Sequence, residues 1–104
     1  MDINVVFTRG PLEVQSSVTH ATTRVSLMSP GSNAVQAQQD LPVASTGCTF
    51  TGIVVPVGGK DYYVRVHEID GQNNYLSSAD SNVVHGVADT QILQVVVGVS
   101  SAIA

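Results

Sequence analysis

An antiparallel all-β sandwich of about seven or eight strands is the fold class the sequence predicts. Three observations predict it. Apolar residues recur at every second position in short runs, turn residues break these runs about every ten positions, and no segment shows a capped helical period. A chain of 104 residues suffices for one core and not two, so a single domain over residues 1–104 is expected.

Residues 3–8 form the first apolar run, closed by Arg9, Gly10 and Pro11. Leu12, Val14 and Ser16 alternate next. Residues 22–28 are rich in β-branched side chains, with Thr23, Val25 and Leu27 on one face, and residues 29–33 (Ser-Pro-Gly-Ser-Asn) stop the run. Residues 34–39 set Val35 and Ala37 against Gln36 and Gln38, a strand with one wet face. Asp40, Leu41 and Pro42 read as a connection. Cys48, Phe50 and Gly52 then alternate with Thr49, Thr51 and Ile53, and residues 56–60 close that element. Tyr62, Val64 and Val66 against Tyr63, Arg65 and His67 is the clearest period of two in the chain. Residues 70–74 (Asp-Gly-Gln-Asn-Asn) mark a turn, and residues 81–87 and 91–99 supply the last two strands.

Composition narrows the function classes. Only 12% of residues are charged, about half the usual share, while 43% are hydrophobic. That balance suits a packed domain with a neutral polar surface and excludes a disordered tail. The four basic residues, Arg9, Arg24, Lys60 and Arg65, are dispersed, so no basic face exists to engage nucleic acid or anionic lipid. Neither nucleic acid nor membrane is an expected partner. Cys48 is the lone cysteine, which rules out an intrachain disulfide and a cysteine-only zinc site; on a strand it is expected to act as a small apolar residue. The N-terminal residues lack a basic region followed by an apolar run, and residues 92–99 are too short to span a bilayer. Synthesis in the cytoplasm without a signal peptide is the expectation.

No constellation carries chemistry. His20, His67 and His85 lie on separate segments, and no serine sits in a Gly-x-Ser-x-Gly elbow. His67 and Glu68 are neighbours on one strand and so point to opposite faces. Asp70, Asn73, Asn74 and Asp80 offer oxygen donors, but their spacing does not fit an EF-hand and a tight turn requires such residues anyway. Gly58, Gly59 and Lys60 lack the rest of a phosphate-binding loop, and Arg9-Gly10 is followed by Pro11 in place of the aspartate of an adhesion loop. The expectation is therefore no enzyme, no catalytic residue, no metal and no cofactor.

The stretch from Asp61 to Tyr75, followed by Ser81, Asn82, Val83 and Val84, resembles the later strands of fibronectin type III domains, which are immunoglobulin-like sandwiches. The resemblance implies that Tyr62 is a structural tyrosine corner and that Val64 and Val66 point into the core. Thr23, Val25 and Leu27 are similar to the family's second strand, with Leu27 where that family carries a core tryptophan and Glu68 where it carries a small inward residue. The residues after Val87 run past the family's usual end.

Small immunoglobulin-like domains without enzyme motif, disulfide or signal peptide resemble accessory proteins of virions, notably bacteriophage capsid decoration (cement) proteins. The resemblance implies a structural role at the virion surface, with a major capsid or other virion protein, or further copies of the chain, as partner. Sparse charge points the same way, because isolated domains guard their sheet edges with charge. The apolar terminal strands at residues 3–8 and 91–99 are the expected assembly contacts, through Ile3, Val5, Phe7, Ile92, Val95, Val97 and Ile103. The alternative is a module that recognises a glycan or host receptor through the loop from Asp70 to Leu76, using Tyr63, Asp70, Asn73, Asn74 and Tyr75.

Overall fold

The computed structural model describes residues 1–9, 20–42, 45–70, 72 and 74–99. Eight strands run in the order β1 (Asp2–Arg9), β2 (His20–Ser29), β3 (Ala34–Pro42), β4 (Gly47–Phe50), β5 (Lys60–Asp70), β6 (Tyr75–Asp80), β7 (Val84–Gly86) and β8 (Ile92–Val99). No helix occurs among the described residues. One sheet has the order β4-β1-β8; the other has β3-β2-β5-β6, with β7 also pairing β5.

The period-two pattern decides which side chains meet between the sheets. Ile3, Val5 and Phe7 of β1 and Val95 and Val97 of β8 close on Val25 and Leu27 of β2 and on Tyr62, Val64 and Val66 of β5. Phe50 joins them from β4 and Met1 from the end of β1. Each such aliphatic side chain contributes about 1.5–3 kcal/mol by leaving water. Leu27 is fully buried in this core.

Most ladders are antiparallel, as expected, but β1 and β8 are parallel along their whole length, from Asp2↔Ile92 to Arg9↔Val99. A parallel neighbour cannot be joined by a hairpin, and here the two strands lie at opposite ends of the sequence. On its other side β1 pairs antiparallel with β4 from Ile3↔Phe50 to Val6↔Gly47. That approach is close: a Cβ on Gly47 would collide with the Val5 carbonyl oxygen.

Three sequence expectations change. Asp40, Leu41 and Pro42 belong to β3, held in register opposite Thr22–Arg24, and do not form a connection. The strand from Cys48 ends at Phe50, because the chain turns through Gly52 at φ +67°. The span expected as one strand over residues 81–87 is β7 alone, and Tyr75 and Leu76, expected in the loop from Asp70, open β6. β6 and β7 are two parts of one track along β5. Ser81 bridges them: its N–H donates to Val64 O at 2.8 Å, and the Val64 N–H donates to Ser81 Oγ at 2.8 Å. Leu12, Val14, Ser16, Asn73 and Ile103 lie outside the described residues.

Candidate functional site

The residues expected as contacts or as a recognition site fall on two surfaces, one on each sheet. The first is the outer face of β4-β1-β8 with its β8 edge, which has no second hydrogen-bonded strand among the described residues. Strand alternation places Val6 on this face opposite Val96, with Ile92 on the same face opposite Asp2; Ile92 and Val96 are 69% and 55% exposed. By sequence, the charge on these three strands is confined to Asp2 and Arg9 at the two ends of β1. The side chains expected as assembly contacts divide accordingly. Ile92 faces solvent, whereas Ile3, Val5, Phe7, Val95 and Val97 are buried in this chain's own core. The alternation that makes β1 and β8 apolar on one face directs that face inward, so their odd-numbered side chains are already covered.

The second surface is the outer face of β3-β2-β5-β6, and here charge is plentiful but mutually engaged. Arg24 donates from Nε and Nη2 to the two carboxylate oxygens of Asp40 at 2.8 and 3.1 Å, and Arg65 makes the same fork to Asp80 at 2.8 and 3.1 Å. Arg24 also reaches the Tyr75 hydroxyl at 3.3 Å. The Arg24 hydrogen bonds hold the Asp40 carboxyl below the usual carboxylate range. The His67 ring stacks on Tyr75 with centroids 4.2 Å apart and planes 11° apart. Burial lowers the His67 pKa, and the positive charges of Arg65 and Arg24 lower it further against a smaller opposing pull from Asp80.

The expected recognition residues do not converge on one loop. Tyr75 lies on β6 and is 58% exposed. Tyr63 faces away from Tyr62 as alternation requires, but it is buried: its hydroxyl donates to Asn33 Oδ1 at 2.6 Å and the Arg65 guanidinium lies 5.5 Å from its ring centroid. A depression of about 300 Å³ at this end is lined by Asn33, Tyr63, Arg65, Asp80 and Ser81 among others. Asp70 is used by its own turn, accepting the N–H groups of Gln72 and Asn74 at 2.8 Å each and Asn74 Nδ2 at 3.2 Å. These bonds lower its pKa. Its carboxylate and that of Asp80 are thus committed to different elements, and no cluster of three or more His, Cys, Asp or Glu side chains that could hold a metal occurs among the described residues.

Two polar contacts were not legible from spacing. Glu68 has no exposed surface; it points between the sheets and accepts the Thr23 hydroxyl at 3.0 Å. Its inward direction follows from the alternation of β5, but its partner comes from β2, forty-five residues earlier. His85 Nδ1 lies 2.6 Å from Asp61 Oδ1, with both side chains more than half exposed, because β7 pairs with the start of β5. Gly59 permits that approach: it sits at φ +86°, and a Cβ there would meet Gly86 O at 2.7 Å and His85 Nε2 at 2.8 Å. Cys48 is half-buried beside the core, and burial pushes its thiol up to about 11. Protein-family models, curated proteins and solved structures contain no match to this chain.

Proposed function

We propose that this chain is a non-enzymatic structural protein of a large assembly, most specifically a bacteriophage capsid decoration (cement) protein or a related virion accessory subunit. In this reading it sits at the virion surface and docks on a shell protein, or on further copies of itself, through its terminal strands. The fold fits an immunoglobulin-like, fibronectin type III-like sandwich: β2/β3 and β5/β6 are hairpins in one sheet, while β1, β4 and β8 return to the other. The residues beyond the family's usual end supply β8.

The observation that carries the reading is the contrast between the two outer faces. Forked ion pairs satisfy the face of β3-β2-β5-β6. The face of β4-β1-β8 instead exposes Val6, Ile92 and Val96 with no charge between the two ends of β1. Exposed apolar surface of this kind marks contact with another protein. The docking residues are accordingly the even-numbered side chains of β1 and β8, with the buried odd-numbered ones holding the platform rigid.

The test uses virus particles purified from cells that produce the chain, with its copy number per particle counted by quantitative mass spectrometry. The double variant Val6→Glu/Val96→Glu changes only outward side chains; about a tenfold drop in copies is expected, because two charges would be buried against the partner. Particles free of the wild-type chain would overturn the reading.

The alternative, recognition of a glycan or host receptor, rests on Tyr75, whose ring is backed by His67 and whose hydroxyl accepts from Arg24, itself paired with Asp40. Such a ring with hydrogen-bonding neighbours suits a sugar face. Loss of glycan or cell binding on Tyr75→Ala, with assembly intact, would favour it.

A further inference from the structure

A sheet edge exposes backbone N–H and C=O groups, and proteins that stay apart blunt such edges with proline, charge, short strands or breaks. Three of the four edges described here are blunted. β3 ends on Pro42 and carries Asp40. β4 has four residues. The β6–β7 track is broken at residues 81–83. β8 has none of these devices: it runs for eight residues, Ile-Leu-Gln-Val-Val-Val-Gly-Val, without charge or proline.

The register settles which of its groups are free. The Asp2 N–H donates to Gln91 O, and β1 and β8 are parallel without a shift. Odd-numbered residues of β8 therefore turn their backbone toward β1, and Ile92, Gln94, Val96 and Gly98 turn theirs away from it. Among the described residues β8 has no second hydrogen-bonded neighbour. We propose that this edge pairs antiparallel with β8 of a second copy about a twofold axis at Val95, joining two three-stranded sheets into one. The inference rests on the assembly reading above and names its partner and geometry.

An antiparallel edge pair about a twofold is self-complementary, since each strand offers the same donors and acceptors in reverse order. With the axis at Val95, Gln94 lies opposite Val96 of the second copy and Ile92 lies opposite its Gly98. Ile92, 69% exposed, thus meets the position with no side chain. Gly98 is open, with Thr8 Oγ1 at 3.6 Å the nearest atom to a Cβ there. Four such facing pairs give about eight intermolecular backbone hydrogen bonds, and no charge opposes its like.

Sedimentation equilibrium of the purified chain tests this. The wild-type protein is expected to be a dimer. Gln94→Pro removes an outward N–H and no bond to β1, and it counts twice across the axis, so the dimer should weaken by at least about 30-fold while melting of the monomer stays near wild type. Register is read by mixing two chains in a Cys48→Ser background, one with Gln94→Cys and one with Val96→Cys. Facing residues about 5.5 Å apart allow a disulfide, so oxidation should cross-link the mixture and neither chain alone. A monomer at about millimolar concentration, or cross-linking of either chain to itself, overturns the inference. Association that survives Gln94→Pro but is lost in Val6→Glu/Val96→Glu overturns edge pairing and leaves docking through the sheet face standing. If that double variant also fails to reduce copies in particles, the assembly reading itself falls.

Discussion

Glu68 lies fully buried between two sheets, and the Thr23 hydroxyl is one of the groups that make this tolerable. Thr23→Val keeps the shape and removes that donor, leaving a buried carboxyl one hydrogen bond short. A loss of about 1–3 kcal/mol in urea unfolding, with unchanged slope, is the expected result. His67 makes a second residue-scale prediction. Its pKa is depressed below the ordinary 6.5, so the unfolded chain binds the proton more readily. The stability this represents is complete above about pH 6.5 and declines as pH falls below it. Asp40 adds a separate decline at lower pH, because its depressed carboxyl contributes above 3.8 and ceases to as that carboxyl protonates. His67→Phe preserves a ring against Tyr75 and removes the titration. Thermal melting of this variant should lose the upper step and keep the lower one.

At the scale of elements, Ser81 ties β6 and β7 to β5 across the break between the two short strands. Ser81→Ala deprives the Val64 N–H of its acceptor while the reciprocal bond from the Ser81 N–H remains. A destabilisation of about 1–2 kcal/mol is expected, with faster amide exchange concentrated at Val64 and β7. Gly47 acts on the other sheet, where the backbone of β4 comes too near Val5 for any side chain. Gly47→Ala should displace β4 from β1, seen as loss of amide protection at Phe7, whose N–H donates to Thr46 O.

For the molecule as a whole, β1 and β8 are core strands that also carry the proposed contact face, which changes how an assembly role is tested. Removing residues 92–99 takes Val95 and Val97 from the core and uncovers β1. Two fully buried valines represent about 3–6 kcal/mol, a large part of the 5–15 kcal/mol that holds a domain folded. The truncated chain is expected to be unfolded by circular dichroism, so failure of that chain to assemble would say nothing about contacts. Outward substitutions at Val6 and Val96 separate the two roles.

Period-two alternation, a local property, was enough to establish an all-β chain, the shared face of Tyr62, Val64 and Val66, the opposite face for Tyr63 and the opposition of His67 to Glu68. Those follow from backbone geometry within a single strand. Alternation also marked β1 and β8 as apolar on one face, but an apolar face looks the same in sequence whether its own second sheet or another protein covers it. Pairing between distant strands decided that: β1 and β8 lie side by side in parallel with their odd-numbered side chains inside, so Ile3, Val5, Phe7, Val95 and Val97 build the core and Val6, Ile92 and Val96 are left exposed. The same non-local pairing set Thr23 beside Glu68 and Asp61 beside His85. Register between strands depends on long-range closure of the whole core, which no short window of residues specifies.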